Sequence, residues 1–151
     1  MQKRLRAAAM ANGATLAGHV TVESFVTVGG LVAIHQFPRI GELALLAGGA
    51  MVSQDVPPYC TATGDRAHLH GLNLIGLKRR GVSLDEISAL KKAYRTLFAE
   101  GLSLKEALTR LQEDYRSSPT VSHLVEFIAA SQRGLCRPRG PADPEGEGEL
   151  L

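Results

Sequence analysis

Several residue types are scarce in this chain, and their scarcity narrows the class of protein. It has no tryptophan, 5 % aromatic residues and two lone cysteines, Cys60 and Cys136, without the spacing of a metal site. We therefore expect reduced thiols and a cytoplasmic protein. No apolar run approaches the roughly 20 residues that span a bilayer. The N-terminal MQKRLRAAAM also lacks the apolar centre of a signal peptide.

The chain also lacks a large excess of either charge. Seventeen Lys+Arg residues face 15 Asp+Glu, which leaves a formal net charge of +2. The basic run at 78–80 has no interleaved aromatic residues, so we expect no nucleic-acid partner. A hydrophobic content of 44 % is typical of a folded globular domain.

What the sequence does contain is a strict six-residue repeat over 10–56. Each repeat has one bulky aliphatic residue and, four positions later, a residue that is small or β-branched, except for one proline. Neither a helix nor an isolated strand has this period, which is typical of a parallel β-helix. The aliphatic positions are Met10, Leu16, Val22, Val28, Ile34, Ile40, Leu46 and Val52, and the second set is Ala14, Val20, Val26, Val32, Pro38, Ala44, Ala50 and Val56.

Three such faces would close one coil of the β-helix, for which we predict the range 10–57. Residues eighteen apart should then stack, with Met10 on Val28 on Leu46, because each coil covers the apolar layer of the one before. Residues 1–9 do not follow the repeat, since Arg4 would be an unpaired charge at an inward position. They either cap the open end or, as we favour, continue from further coils upstream.

The pattern changes after Pro57, because two consecutive prolines cannot continue a strand ladder. We predict an extended excursion over 58–82 and a domain of three helices over 83–136. Three serines begin these helices: Ser83 and Ser103 each precede a glutamate by three residues, and Ser118 precedes a proline. The polar tail 137–151 is predicted to be disordered.

Four runs together resemble one protein family. They are NGATLAGHV at 12–20, AIHQFPRIG at 33–41, SQDVPPY at 53–59 and GLNLIGLKRRG at 71–81. The chain is similar to the C-terminal part of the bacterial acyl-carrier-protein–UDP-N-acetylglucosamine O-acyltransferases of lipid A synthesis. The resemblance implies a left-handed parallel β-helix followed by a three-helix C-terminal domain, in a homotrimer with active sites between subunits.

The resemblance also implies a reaction. A histidine acts as general base on the 3-hydroxyl of UDP-N-acetylglucosamine, which attacks the thioester of a 3-hydroxyacyl chain on acyl carrier protein. Backbone N–H groups stabilise the oxyanion. No metal and no organic cofactor are implied.

Individual residues match the motifs of the family. Gly18 matches the backbone oxyanion donor, and His19 the histidine beside it. Gly48 falls where the family measures acyl length. The positions that match substrate contacts are His35, Gln36, Asn73, Arg79 and Arg80, and the residues expected to offer a basic surface to the carrier protein are Lys91, Lys92 and Arg95.

Two departures from the family stand out. The catalytic base of the family lies in an HxxH run that this sequence does not contain, so we expect the 151-residue chain to be inactive or severely impaired. Arg66 and Ile75 replace a histidine and an acid of the family. The alternatives are a non-catalytic trimeric module that binds nucleotide or carrier protein and, less favoured by IHQF and GLKRRG, the related N-acyltransferase. His68 and His70 lack a third ligand and predict no metal site.

Overall fold

The computed structural model describes residues 8–10, 15–16 and 20–146, with side chains described only over 20–146. The first part of the chain is a parallel β-helix of short strands. They are β1 Ala8–Met10, β2 Thr15–Leu16, β3 Thr21–Val22, β4 Val26–Val28, β5 Ala33–Ile34, β6 Arg39–Ile40, β7 Leu45–Leu46 and β8 Met51–Val52.

These strands form three faces whose members lie eighteen residues apart. β1, β4 and β7 pair in parallel on the first face, β2, β5 and β8 on the second, and β3 and β6 on the third. Met10 is paired with Val28, and Val28 with Leu46. The predicted stacking is therefore confirmed.

The predicted inward positions form the core of the β-helix. Every aliphatic residue of the repeat from Val22 to Val52 is at most 7 % exposed. The second set is equally buried over the described residues, including Pro38. The six-residue period thus predicted the buried face correctly.

β1 begins two residues earlier than the predicted start of the β-helix. Ala8 and Ala9 pair with Val26 and Thr27, so assigning all of 1–9 to a non-repeat segment was wrong. Ala8 continues the series of small residues, six positions before Ala14. A strand pairs through its backbone, so β1 can form although Arg4 stands where the repeat would place an aliphatic residue.

The corners of the β-helix have an unusual backbone conformation. Phe25, Leu31, Phe37 and Leu43 recur every six residues with φ between 57° and 78°. Non-glycine residues rarely adopt this left-handed region, and each instance needs support from the surrounding structure. The side chains at these corners therefore project at fixed places along the β-helix.

The two prolines do not end the sheet, contrary to our prediction. β9, Cys60–Thr63, adds to the first face in parallel with β7, with Leu46 opposite Ala62. The spacing shortens from eighteen to sixteen residues, and β10, His68–Leu72, then turns back antiparallel to β9. Proline is tolerated at 57 and 58 because the backbone hydrogen bonds on either side use other amides: Gly41 donates to Val56 O, and Tyr59 donates to Glu42 O.

The described residues contain four helices rather than three. Helix α1, Leu74–Arg79, lies inside the predicted excursion, and α2 Leu84–Phe98, α3 Leu104–Asp114 and α4 Pro119–Ala129 follow. Ser83, Ser103 and Ser118 cap the last three helices, as expected. None of the described helices has the length and apolar character needed to cross a membrane.

The first ten residues of the predicted disordered tail are packed against the hairpin formed by β9 and β10. Leu69 donates its amide to Arg137 O at 3.0 Å, and Leu72 donates to Pro144 O at 2.8 Å. The disorder prediction was therefore wrong for 137–146. Composition indicates only how much apolar surface a segment is able to bury. This segment is held instead by backbone hydrogen bonds from amides at the free edge of β10. Residues 147–151 lie outside the described part.

Candidate functional site

A pocket of about 390 Å³ lies between the first face of the β-helix and helix α1. Two consecutive coils provide one wall: Phe25 and Thr27 stand eighteen residues before Leu43 and Leu45. The other wall belongs to α1 and its flanking residues. Its lining residues are Asn73, Ile75, Gly76, Arg79 and Arg80. The pocket therefore combines an apolar wall with a basic rim.

Asn73 fixes the beginning of α1 on the β-helix. Its Nδ2 donates to Leu43 O at 2.9 Å, and its Oδ1 accepts from Gly76 N at 3.1 Å as the helix cap. Asn73 is 7 % exposed, so both polar atoms are satisfied in a buried place. A Cβ at Gly76 would lie 2.3 Å from Asn73 Nδ2, which explains glycine at this position.

Arg79 and Arg80 supply all the formal charge of the pocket. Both side chains are exposed, and the guanidinium carbon of Arg80 lies 3.6 Å from the centre of the Phe25 ring. Within 20–146, neither arginine forms an ion pair with a carboxylate. Two unneutralised guanidinium groups over an apolar wall suit a ligand with phosphate oxygens and a flat or apolar part.

The other predicted substrate contacts do not line this pocket. His35 and Gln36 are exposed at the corner after β5, and Gly48 is exposed at the corner after β7. His35 is held by its amide, which donates to Val52 O at 2.9 Å. The predicted catalytic residues Gly18 and His19 lie outside the described residues.

Gly48 has space around it. A Cβ at this position would meet only Gly30 O within 4 Å, at 3.5 Å. Its φ is not positive, so any residue can adopt the backbone conformation there. A side chain at position 48 would thus extend into open space.

The sequence reasoning missed the apolar wall of the pocket. Phe25 and Leu43 were not recognised as site residues, although both occupy the corner position that recurs every six residues. An aromatic residue at a corner of the repeat was an available signal. Its partner, Arg80, is 55 positions away in the sequence, so the contact itself could not be predicted.

The two cysteine thiols do not line the pocket beside α1. Cys60 and Cys136 are free and buried. Burial raises the pKa of Cys136 to about 12, and nearby Asp55 adds to this effect, so the thiol stays protonated at neutral pH. No group of three or more potential metal ligands occurs among the residues that the structure describes.

A parallel β-helix of six-residue faces places the chain in the class of hexapeptide-repeat proteins. Residues 55–136 match the family described as UDP-N-acetylglucosamine O-acyltransferase, domain 2. These 82 residues are more than half of the 151 in the chain. The chain belongs to the UDP-N-acetylglucosamine O-acyltransferase family.

Relatives in other organisms carry the corresponding name. The acyl-[acyl-carrier-protein]–UDP-N-acetylglucosamine O-acyltransferase of Myxococcus xanthus is 51 % identical over 118 residues, which are 78 % of this chain and 46 % of that protein. The enzyme of the same name from a Janthinobacterium species is 49 % identical over 132 residues, 85 % of this chain and 50 % of the relative. The chain thus spans about half the length of these relatives.

Solved structures agree with this assignment. The UDP-N-acetylglucosamine acyltransferase of Arabidopsis superposes with a TM-score of 0.84 at 41 % identity, covering 89 % of this chain and 50 % of the other. The Francisella novicida protein gives a TM-score of 0.83 at 35 % identity, covering 88 % and 49 %. The family resemblance in the sequence motifs is confirmed.

Proposed function

We propose that this chain provides the substrate-holding part of an acyltransferase that moves a 3-hydroxyacyl chain from acyl carrier protein to the 3-hydroxyl of UDP-N-acetylglucosamine. The observation that carries the proposal is the pocket beside α1, where Asn73, Arg79 and Arg80 come together. The arginines hold the diphosphate through charge-assisted hydrogen bonds. Asn73 orients the helix that presents them.

The remaining predicted residues complete the reaction. His35 and Gln36 contact the sugar, the amide of Gly18 stabilises the oxyanion, and open space at Gly48 admits the acyl chain. The proton of the attacking hydroxyl goes to a histidine acting as general base. The family's base lies in an HxxH run that these 151 residues do not contain, and His19, beside the oxyanion donor in sequence, is the candidate for this role within them.

We further propose a cytoplasmic homotrimer with a left-handed β-helix. In one copy His35, Gln36 and Gly48 do not share the pocket of Arg79 and Arg80, which supports a site completed by a second copy. Two buried free thiols support a reducing compartment. Sedimentation equilibrium of the purified chain should give three times the monomer mass of 16.1 kDa, and a folded monomer would contradict this assembly.

The nucleotide site can be tested by calorimetry with UDP-N-acetylglucosamine. We expect the double variant Arg79→Ala/Arg80→Ala to bind at least about tenfold more weakly, because hydrogen bonds to charged groups are each worth about 1.5–3 kcal/mol. Arg110→Ala is the matched control, since Arg110 is an exposed arginine on α3 outside the pocket. Equal affinity of the double variant and wild type would exclude this site.

A non-catalytic binding module is the second candidate, favoured by the absence of an HxxH run from these 151 residues. Acyl transfer from 3-hydroxyacyl carrier protein to UDP-N-acetylglucosamine is the first test. Turnover that His19→Ala abolishes excludes the module and supports the enzyme with His19 as base. Nucleotide binding without turnover agrees with the substrate-holding part of the enzyme and with the module; in-frame six-residue repeats with an HxxH run in the DNA upstream of the first codon would then exclude the module.

A further inference from the structure

Helix α1 is attached to two neighbouring coils of the β-helix, one at each end. Its cap, Asn73, donates to the carbonyl of Leu43. At its other end Arg80 lies over the ring of Phe25, and its amide donates to Gly76 O at 3.0 Å. Leu43 and Phe25 are corner residues eighteen positions apart, so both attachments use the same column of corners.

The Phe25 ring is itself held in place. Its φ of 63° belongs to the supported left-handed corner, and the side chain is partly buried against the hydrophobic core. The ring is therefore a fixed surface rather than a loose side chain. An arginine whose guanidinium rests on such a surface has far fewer accessible rotamers than one extending into water.

The kind of contact matters for the chemistry at Arg80. A carboxylate partner would neutralise the guanidinium and occupy the N–H groups on its edge. An aromatic ring contacts the guanidinium face instead and leaves the N–H groups on the edge available. The contact therefore restricts the arginine without using up the donors that a phosphate group needs.

We infer that Phe25 is a positioning residue for the nucleotide diphosphate: its ring holds the Arg80 guanidinium with its N–H edge free, so that the charge is placed before the ligand arrives. This inference rests on the proposed nucleotide site. It adds a residue from the β-helix, outside the GLNLIGLKRRG run, as a determinant of phosphate affinity. Binding to a preorganised group costs less entropy, so the effect falls on affinity for the diphosphate.

The test measures the dissociation constants of UDP and uridine, which differ by the diphosphate. For Phe25→Leu we expect UDP to bind about fivefold more weakly, the size of a partly exposed cation–π contact, and uridine to change by less than about twofold. Phe25→Tyr keeps an aromatic face and should restore UDP binding. In an Arg80→Ala background, Phe25→Leu should have no further effect on UDP.

Phe37→Leu is the matched control. Phe37 is also a corner phenylalanine, with φ of 78° and the guanidinium of Arg133 at 5.3 Å from its ring centre, but it does not line the pocket. Its substitution should leave UDP affinity unchanged. Thermal melts of all variants show whether any loss of binding follows unfolding.

The outcomes separate the two claims. If wild type does not bind UDP, the proposed nucleotide site fails and the role of Phe25 fails with it. If wild type binds UDP and Phe25→Leu binds it equally well, only the positioning role is overturned. Equal losses for UDP and uridine would likewise overturn it, because Phe25 would then support the pocket as a whole.

Discussion

Gly41 lies where the chain leaving the β-helix passes over the previous coil. A Cβ at Gly41 would lie 2.3 Å from the backbone nitrogen of Pro58, while a Cβ at Gly48 meets only one atom, at 3.5 Å. Neither glycine has a positive φ. The two positions therefore differ in the space available and not in backbone conformation.

We predict that Gly41→Ala lowers the free energy of unfolding by about 3 kcal/mol, the upper range for overpacking against atoms that cannot move freely. Gly48→Ala should change it by no more than about 0.5 kcal/mol. Urea denaturation of both variants measures the difference. Equal stabilities would mean that Pro58 shifts easily and that the crossing is not tight.

At the scale of residues, the sequence predicted the positions that follow the six-residue repeat. Ile34 and Ile40 are buried because the repeat places an aliphatic side chain inward at every sixth position. Gly41 carried no such signal, because its role depends on Pro58, which crosses it from outside the repeat. The same holds for Phe25, whose contact with Arg80 arises only after α1 has docked.

At the scale of elements, Glu86 joins helices α2 and α4. Ser83 caps α2 by accepting from Glu86 N at 3.2 Å. The Glu86 carboxylate accepts from the Ser118 hydroxyl and from the amide and hydroxyl of Thr120. It thereby binds the first turn of α4.

These contacts make the helix pair sensitive to acid. Burial alone would raise the pKa of Glu86, but the hydrogen bonds from Thr120 and Ser118 outweigh it and hold the pKa below its ordinary value. A lowered folded-state pKa gives stability that is present above the unfolded-state pKa of about 4.3. That stability is lost as the pH falls further, through the folded-state pKa.

We predict that Glu86→Gln lowers the free energy of unfolding at pH 7 and makes it less dependent on pH. Wild type should lose stability between about pH 5 and pH 3, so the difference in unfolding free energy between wild type and variant should narrow as the pH falls. Urea midpoints across this range measure the gap. Glu113→Gln, an exposed change on α3, is the control, and a gap independent of pH would contradict the role of the carboxylate.

Elements were predictable where their signals are local. The capping serines of α2, α3 and α4 lie beside the helices they begin, so the sequence revealed them. Strand β9 and the segment 137–146 have no such signal, because backbone hydrogen bonds to distant strands hold them in place. The two prolines predicted an extended excursion where β9 lies, and composition predicted disorder over 137–146.

At the scale of the whole molecule, polar contacts connect the β-helix to the helical domain. His123 of α4 lies 2.9 Å from the Glu23 carboxylate in the β-helix. Arg39 of β6 donates to Phe127 O at 3.1 Å and rests 4.0 Å from the centre of that ring. Both contacts fix α4 against the coils that also carry the pocket.

Asp55 is the most buried of these connecting groups, at 1 % exposed. Its carboxylate accepts from Arg39 N and from the Ser131 hydroxyl, both at 2.7 Å. Its own backbone pairs with the segment after α4 through Gly134 O and Cys136 N. Asp55, at the end of the β-helix, therefore binds the segment that follows α4 to the β-helix.

We predict that Asp55→Ala lowers the free energy of unfolding by about 3 kcal/mol, since it leaves the Arg39 amide without its acceptor in a buried place. Ser131→Ala should cost about 1 kcal/mol, and adding it to Asp55→Ala should cost nothing more, because their shared hydrogen bond is already gone. Hydrogen exchange should speed up mainly over 131–138. Additive losses, or faster exchange confined to the β-helix, would mean that Asp55 stabilises its own coil and does not join the two halves.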